Sequence, residues 1–279
     1  MGKWANGQVI AERAMNLTSL KEALSLDAKE AIQDLLVFSE IDSTNSEVLR
    51  RYQNGQSGSC LIVAQSQTSG RGRRGRNWLS PAGGGLYMSL GMPFFNSTQE
   101  LQALSLVTAI SVATAIEGLC DAKLQLKWPN DVLAANKKLA GILLERHISK
   151  AESYLVFGIG VNLDISQQQR QTLDRPLADL KSLTTMSIEP EKLAAAIVNQ
   201  LVAGLDNFLR DGFKPFKDTW NGYDRYAGSD IVIDSGNERL IGKSLGVNEE
   251  GSLMLRTPGG PMTLSTGEIF PSLRAGDET

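Results

Sequence analysis

The hydrophobic pattern divides the chain into two textures. Up to about residue 225, amphipathic stretches of helical period alternate with short apolar runs. Residues 1–36 read as a peripheral segment with some helix, Leu20–Leu36 being the best stretch, and Val37–Ile41 as a short strand. Asp42-Ser43-Thr44-Asn45 offers an N-cap for a helix running to about Tyr52. Asn54-Gly55 and Ser57-Gly58 mark a turn before Cys60–Ala64, a run of buried-strand type, and Leu86–Leu90 is another. Ser97 and Glu100 form a capping box. Behind it Leu101, Leu104, Thr108, Val112, Ala115 and Leu119 fall on one helical face. Leu124–Trp128 and Asp131–Ala134 read as short strands, Lys138–Arg146 and Tyr154–Val161 as longer ones. Pro190 opens a helix whose apolar positions, Leu193, Ile197, Leu201, Leu205 and Phe208, keep helical spacing until Gly212.

After about Tyr226 the texture changes. Asp230–Asp234, Arg239–Val247, Ser252–Thr257 and Met262–Thr266 are short β-rich runs separated by Gly and Asn turns, the signature of a small antiparallel barrel. The 279 residues suffice for one large domain plus a small one, with a core that needs no staples. The expected organisation is an N-terminal segment, 1–36, a main domain, 37–225, and a C-terminal module, 226–279.

Charge and composition remove several classes. A net charge of −3 makes the whole molecule no electrostatic magnet for nucleic acid. Cys60 and Cys120 stand far apart, outside any CxxC arrangement, and read as buried thiols of a reducing compartment. The N-terminus shows no signal pattern, and Asn6 stands where a myristoylation signal needs Ser or Thr. Leu101–Leu119, the most apolar stretch, carries Glu117 with several Ser and Thr and reads as a core helix, not a membrane span. A cytoplasmic protein is expected. His147 is the only histidine and no G-x-S-x-G accompanies it, which demotes a nucleophile–histidine relay. Neither a Cys/His cluster for a transition metal nor a Walker A segment is present.

The densest local feature is Gly70-Arg71-Gly72-Arg73-Arg74-Gly75-Arg76. It matches G-x-G-x-x-G formally, but Trp78, Pro81 and three further glycines cannot open a helix, and no acid follows before Glu100. Its glycines would let backbone N–H groups approach an anion, and its arginines supply forks for phosphate or carboxylate. A small-anion site, a nucleic-acid patch and a solvated basic turn all stay open on this segment alone. Four like charges in seven residues call for an anionic partner, so the loop is expected to be mobile when empty and ordered by ligand. Lys127-Trp128-Pro129-Asn130-Asp131 gathers polar groups at a strand end, with Lys127 and Pro129 on one side. Lys137-Lys138 precedes an apolar strand; its bland reading is solvated edge charge. Gly158 and Gly160, two apart, either open one face of a strand to a flat ligand or mark a bulge.

In this order, Asp42–Asn45, Gln67 with the Gly/Arg loop and Trp78, Lys127–Asp131, Lys138–Gly141, Gly158–Asn162 and a β-rich C-terminal module resemble the biotin–protein ligase family, from about residue 37 to the end. The resemblance implies an α+β fold: a mixed sheet with helices on one side, then a small SH3-like β-barrel. It implies that biotin and MgATP give biotinyl-5′-AMP, and that a lysine of the biotin carboxyl carrier protein of acetyl-CoA carboxylase accepts the biotin. It assigns Ser43, Thr44, Asn45, Gln67, Arg71, Gly72, Arg73 and Lys138 to biotin. Arg76, Trp78, Lys127, Asn130, Asp131 and Asn162 go to ATP, with Asp131 also toward Mg²⁺. Lys138, Arg73 and Lys127 are the expected catalytic cations, Lys138 at the carboxyl–phosphate junction. Two departures follow. About forty residues before Asp42 are too few for a winged helix-turn-helix plus linker, so a ligase without repressor function or specific DNA binding is expected, and a homodimer is left open. After Gly267-Glu268-Ile269 the spacing to Arg274 is changed, which puts that residue's reach to the nucleotide in question. A lipoate or octanoyl ligase or transferase, a DNA-binding biotin sensor and a non-catalytic binding protein are the alternatives.

Overall fold

Asn16 and Ser25 start two short helices, α1 (Leu17–Ala23) and α2 (Leu26–Ala31), their side chains accepting from Thr18 N and Ser19 N and from Ala28 N. The computed structural model describes residues 15–94, 101–149, 152–171, 176–234 and 239–270; Ser97, Glu100 and Arg274 lie outside them. Helices this short are not stable alone. Leu20, Leu24 and Ala28 sink into the main core. The apolar stripe was present in the sequence, but the cap at Ser25 splits it into two helices.

β1 (Asp34–Phe38) pairs in parallel with β2 (Cys60–Ala64). Between them Ser43 caps α3 (Thr44–Gln53). β3 (Gly85–Phe94), α4 (Leu101–Glu117), β4 (Leu124–Lys127), β5 (Asp131–Ala134), β6 (Lys137–Ser149) and β7 (Glu152–Asn162) follow. The seven strands form a mixed sheet in the order β1-β2-β3-β7-β6-β5-β4. α5 (Gln167–Gln171) and α6 (Leu180–Leu183) lead to α7 (Pro190–Asp211), which begins at the expected proline. Gly212 ends α7 with a φ of 70°. α8 (Lys217–Tyr223) closes the domain.

Strand alternation sorts the side chains onto two faces. Leu61, Val63, Leu86, Met88, Leu155 and Phe157 meet α4 and α7 in the main core. Cys60, Ile62, Tyr154 and Val156 point the other way, against Val48 of α3. The two long helices thus lie on one side as expected, while α3 covers part of the opposite face. Both cysteines are buried and free.

β8 (Asp230–Asp234), β9 (Arg239–Val247), β10 (Leu253–Thr257), β11 (Gly260–Leu264) and β12 (Glu268–Phe270) form a second, antiparallel sheet in the order β11-β10-β9-β8-β12. This corrects the expected barrel: the sheet is open, with β11 and β12 at its edges. β12 has three residues and pairs with β8 alone. That edge is covered by the first domain instead of by closure. A Cβ at Gly267 would stand 3.4 Å from the Trp128 ring, and Trp128 Nε1 donates to Gly251 O at 3.4 Å. Among the described residues no helix is long and apolar enough to cross a membrane.

Leu201 of α7 is fully buried in the main core. Leu201→Ala should lower unfolding free energy in urea by about 2–5 kcal/mol. An unchanged midpoint would mean that α7 does not carry this packing.

Candidate active site

On the sheet face shared with α3, the middle of β6 and β7 carries glycine where a side chain would block access. A Cβ at Gly160 would come within 2.5 Å of the Trp78 ring, and one at Gly141 within 2.8 Å. At Gly158 it would meet Asn45 Oδ1 at 2.2 Å. These glycines form a floor for flat groups, and the group lying on it here is the chain's own indole.

A polar network runs beside this floor. Ser89, fully buried on β3, donates to Asn45 Oδ1 at 2.5 Å and lies 2.7 Å from the Thr44 hydroxyl. Gln67 Oε1 accepts from Thr44 N at 2.9 Å, and Gln67 Nε2 donates to Ser80 Oγ at 2.8 Å. Asn45 Nδ2 donates to Glu145 Oε2 at 2.8 Å, and the same carboxylate oxygen holds Arg71 at 2.7 Å. Buried polar groups so connected fix one arrangement of side chains.

The Gly/Arg loop leaves this network at Arg71 and returns to it at Trp78. Arg74 sits in the left-handed region at its apex, with a φ of 56°. Arg73 is turned inward and donates to Asn130 Oδ1 at 3.1 Å. Arg74 pairs with Asp234 at 3.2 Å and Arg76 with Glu268 at 2.6 Å. The anionic compensation expected from a ligand is therefore supplied by Glu145, Asp234 and Glu268 of the chain itself.

Lys127, 3% exposed at the end of β4, and Lys138, at the start of β6, complete the cationic cluster. Lys138 Nζ donates to Asp131 Oδ1 at 2.5 Å and stands 5.2 Å from the centre of the Trp78 ring. Burial lowers the pKa of Lys127, with Asp131 and Glu268 opposing that shift. Burial likewise lowers that of Arg73, against the same two carboxylates.

Two adjoining cavities result. Ser43, Thr44, Asn45, Gln67 and Arg71 line the first only, with the glycine floor. Arg76, Lys127, Asp131 and Glu268 line the second only. Gly72, Arg73, Trp78, Asn130 and Lys138 border both. Their volumes are about 50 and 40 Å³, far below the roughly 300 Å³ of a small-molecule site. Chemically, the junction offers an ammonium and a guanidinium where two anions could be held together. Asn162, expected beside a nucleotide, lines neither cavity; its amide donates to Lys138 O and Ala178 O. His147 also lies away from both cavities. Sequence reasoning missed Ser89, Glu145 and Asp234 as site residues. The first two had a signal: each is a polar residue inside an apolar strand run.

A family model for the Biotin/lipoate A/B protein ligase family matches residues 37–162. The bifunctional ligase/repressor BirA of Escherichia coli strain K12 is 32% identical over 267 residues, which span 93% of this chain and 82% of BirA. The biotin–[acetyl-CoA-carboxylase] ligase of Paracoccus denitrificans is 34% identical over 237 residues, 82% of this chain and 97% of that one. Among solved structures, the biotin protein ligase from Aquifex aeolicus in complex with biotin and ATP is similar at a TM-score of 0.73 and 30% identity, covering 85% of this chain and 98% of that chain. Taken with the two-cavity site on a mixed sheet, these similarities show that the chain belongs to the biotin/lipoate A/B protein ligase family, in its biotin–protein ligase branch.

Proposed function

We propose that this chain is a biotin–protein ligase that forms biotinyl-5′-AMP from biotin and ATP and transfers the biotin to a lysine of the biotin carboxyl carrier protein of acetyl-CoA carboxylase. One observation carries the reading: two cavities, one floored with glycine and edged by neutral hydrogen-bonding groups, the other lined by cations, meet at Arg73 and Lys138. That is the division of labour the reaction needs. A carboxylate oxygen of biotin bonds to the α-phosphorus of ATP, and pyrophosphate leaves. The acceptor amine then bonds to the activated carbonyl carbon, and AMP leaves.

No nucleophile from the enzyme is required, because the substrate's own carboxylate attacks. The chain must bring a carboxylate and a triphosphate together despite their repulsion, align them, and keep water from the mixed anhydride. Ser43, Thr44, Asn45 and Gln67 hold the ring head, with Arg71 and Gly72 closing over it. Arg73 and Lys138 neutralise the carboxylate and α-phosphate. Arg76 and Lys127 face the remaining phosphates, Trp78 stacks against the adenine, and Asn130 positions Arg73. On binding ATP, Arg76 exchanges Glu268 for phosphate, and the loop closes over the adenylate.

Among the described residues no group of three His, Cys, Asp or Glu could hold a metal ion by itself. Mg²⁺ arriving with ATP needs less, one or two carboxylates and several waters. The Asp131 carboxylate on the second cavity fits that requirement. There Mg²⁺ would supply charge neutralisation on the phosphates.

The direct test is pyrophosphate release by purified protein. Release should depend on biotin and not on lipoate or octanoate; dependence on either of the latter would move the chain to another branch of the family. Lys138→Ala should lower that release by on the order of 10²- to 10³-fold while the melting curve stays in place. Retained release would remove the lysine from the junction.

Lys127 adds a pH dependence. Its charge is present below its lowered pKa and is lost as pH rises through it. Apparent affinity for ATP should therefore weaken on the alkaline side at a lower pH than an exposed lysine would give. Lys127→Arg keeps the charge throughout and should move that limb to higher pH. A limb that stays put would belong to another group.

Biotin plus ATP should protect residues 70–76 from trypsin. Equal cleavage with and without the ligands would refute closure of the loop over them.

A further inference from the structure

One carboxylate stands behind the first cavity and holds two of its walls. Gly141, Leu143 and Glu145 alternate onto one face of β6, and Glu145 is opposite Val156, which packs with Val48 of α3. The Glu145 side chain therefore lies on the site face beyond the glycine floor, yet it does not line the cavity. Its Oε2 accepts from Asn45 Nδ2 at 2.8 Å and from Arg71 at 2.7 Å. Asn45 and Arg71 do line that cavity.

A carboxylate in an ion pair only accepts hydrogen bonds, and this fixes the direction of a longer chain of them. The buried Asn45 amide turns its Nδ2 toward Glu145, which leaves Oδ1 toward Ser89. A second acceptor for Nδ2, Leu143 O, stands at 3.4 Å, beyond the usual range. The Ser89 hydroxyl has one proton, and at 2.5 Å from Asn45 Oδ1 that proton lies between the two oxygens. Ser89 then has only lone pairs for Thr44 Oγ1 at 2.7 Å, so the Thr44 hydroxyl donates to Ser89. Gln67 Oε1, 3.2 Å from the same hydroxyl, is served instead by Thr44 N at 2.9 Å. The Thr44 hydroxyl is left with lone pairs alone to offer the first cavity, which Thr44 lines.

We infer that Glu145 is a positioning residue: through Asn45 and Ser89 it sets the Thr44 hydroxyl as an acceptor, so that the first cavity selects a ligand presenting an N–H there. The inference rests on the proposed ligase reaction, in which the ring head held by this cavity is the ureido group of biotin, with two N–H donors. Without an acceptor at position 145 the Asn45 amide is free to turn over. Every bond of the chain then reverses: Nδ2 donates to Ser89, Ser89 to Thr44, and Thr44 toward the ligand. The direction of the chain thus distinguishes a ring N–H from a ring oxygen of similar size.

The test uses biotin and its two cyclic carbamate analogues, in each of which one ureido N–H is replaced by a ring oxygen. Binding to the full chain is measured by calorimetry. The unaltered protein should bind at least one analogue on the order of 10²-fold more weakly than biotin. Glu145→Met fills a similar volume without an oxygen and should bring that ratio below about tenfold. Glu145→Gln keeps an oxygen that can accept from both partners, and its ratio should stay within about threefold of the original. Ser89→Ala interrupts the chain and should lower the ratio as Glu145→Met does, and the double variant should lose no more than either alone, as residues acting through one chain do. A merely structural role for Glu145 would weaken biotin and both analogues alike and leave the ratio in place. An unchanged ratio in Glu145→Met, or equal losses in the Met and Gln variants, would overturn the inference. Should the variants fail to fold, the unaltered protein decides: equal binding of biotin and both analogues would overturn it. Absence of biotin binding by the unaltered protein would be a different failure, that of the ligase reading itself.

Discussion

Glu268 and Asp234 stand directly opposite each other on adjacent strands of the C-terminal sheet. Like charges in that relation destabilise a sheet. Arg74 and Arg76, two of four arginines crowded into a seven-residue loop, have the opposite problem. The structure solves both conflicts with one contact: Arg74 pairs with Asp234 at 3.2 Å and lies 3.8 Å from Glu268, and Arg76 pairs with Glu268 at 2.6 Å. Near the same contact Trp128, the neighbour of the cationic Lys127, packs beside Gly267 and donates to Gly251 O. The individual pairs are partly exposed and each contributes little to stability. Their role is to give a dense cationic loop one defined resting place.

The second constraint is steric. The first cavity has a flat floor only because the sheet beneath it carries no side chains there, and Gly141, Gly158 and Gly160 supply that clearing on neighbouring strands. The face is available because α4 and α7 both pack on the other side. α3 enters from one end, its first turn bringing Ser43, Thr44 and Asn45 to the clearing. Ser89 and Glu145 fix the amide of Asn45 in one orientation. A single network thus connects the cap of a helix, the floor of the sheet and both ends of the Gly/Arg loop.

Much of this was legible in the sequence, for local reasons. α7, β2 and β3 announce themselves through period and punctuation, and the Gly/Arg and Lys-Trp-Pro-Asn-Asp segments carry a resemblance strong enough to name a family. What was not legible depends on pairing between distant segments. Alternation cannot show where β6 slips against β5, so the direction of the Lys138 side chain was invisible. That the amide of Asn162 meets the carbonyls of residues 138 and 178 was likewise invisible, because those partners come to it only in the fold. Counting strand-like runs after Tyr226 gave an approximate module but not its closure, because β12 has three residues and its far edge is covered by another part of the chain. The partners of the arginines were hidden for the same reason: the carboxylate that meets Arg76 lies 192 positions away.

The charge balance of the site also bears on the substrates it would take. Asp131 takes the hydrogen bond of Lys138 and Glu268 that of Arg76. In the proposed reaction both carboxylates occupy places that the substrates' own anions would fill. A ligand that brings no negative charge would leave those cations paired as they are, gaining nothing from them. In that reaction a triphosphate would replace Glu268 at Arg76, while its α-phosphate, with the biotin carboxylate, would replace Asp131 at Lys138. One set of ion pairs would thus be exchanged for another, and both carboxylates line the second cavity. The residues that balance the cationic cluster would thereby bias it toward two anionic substrates bound together.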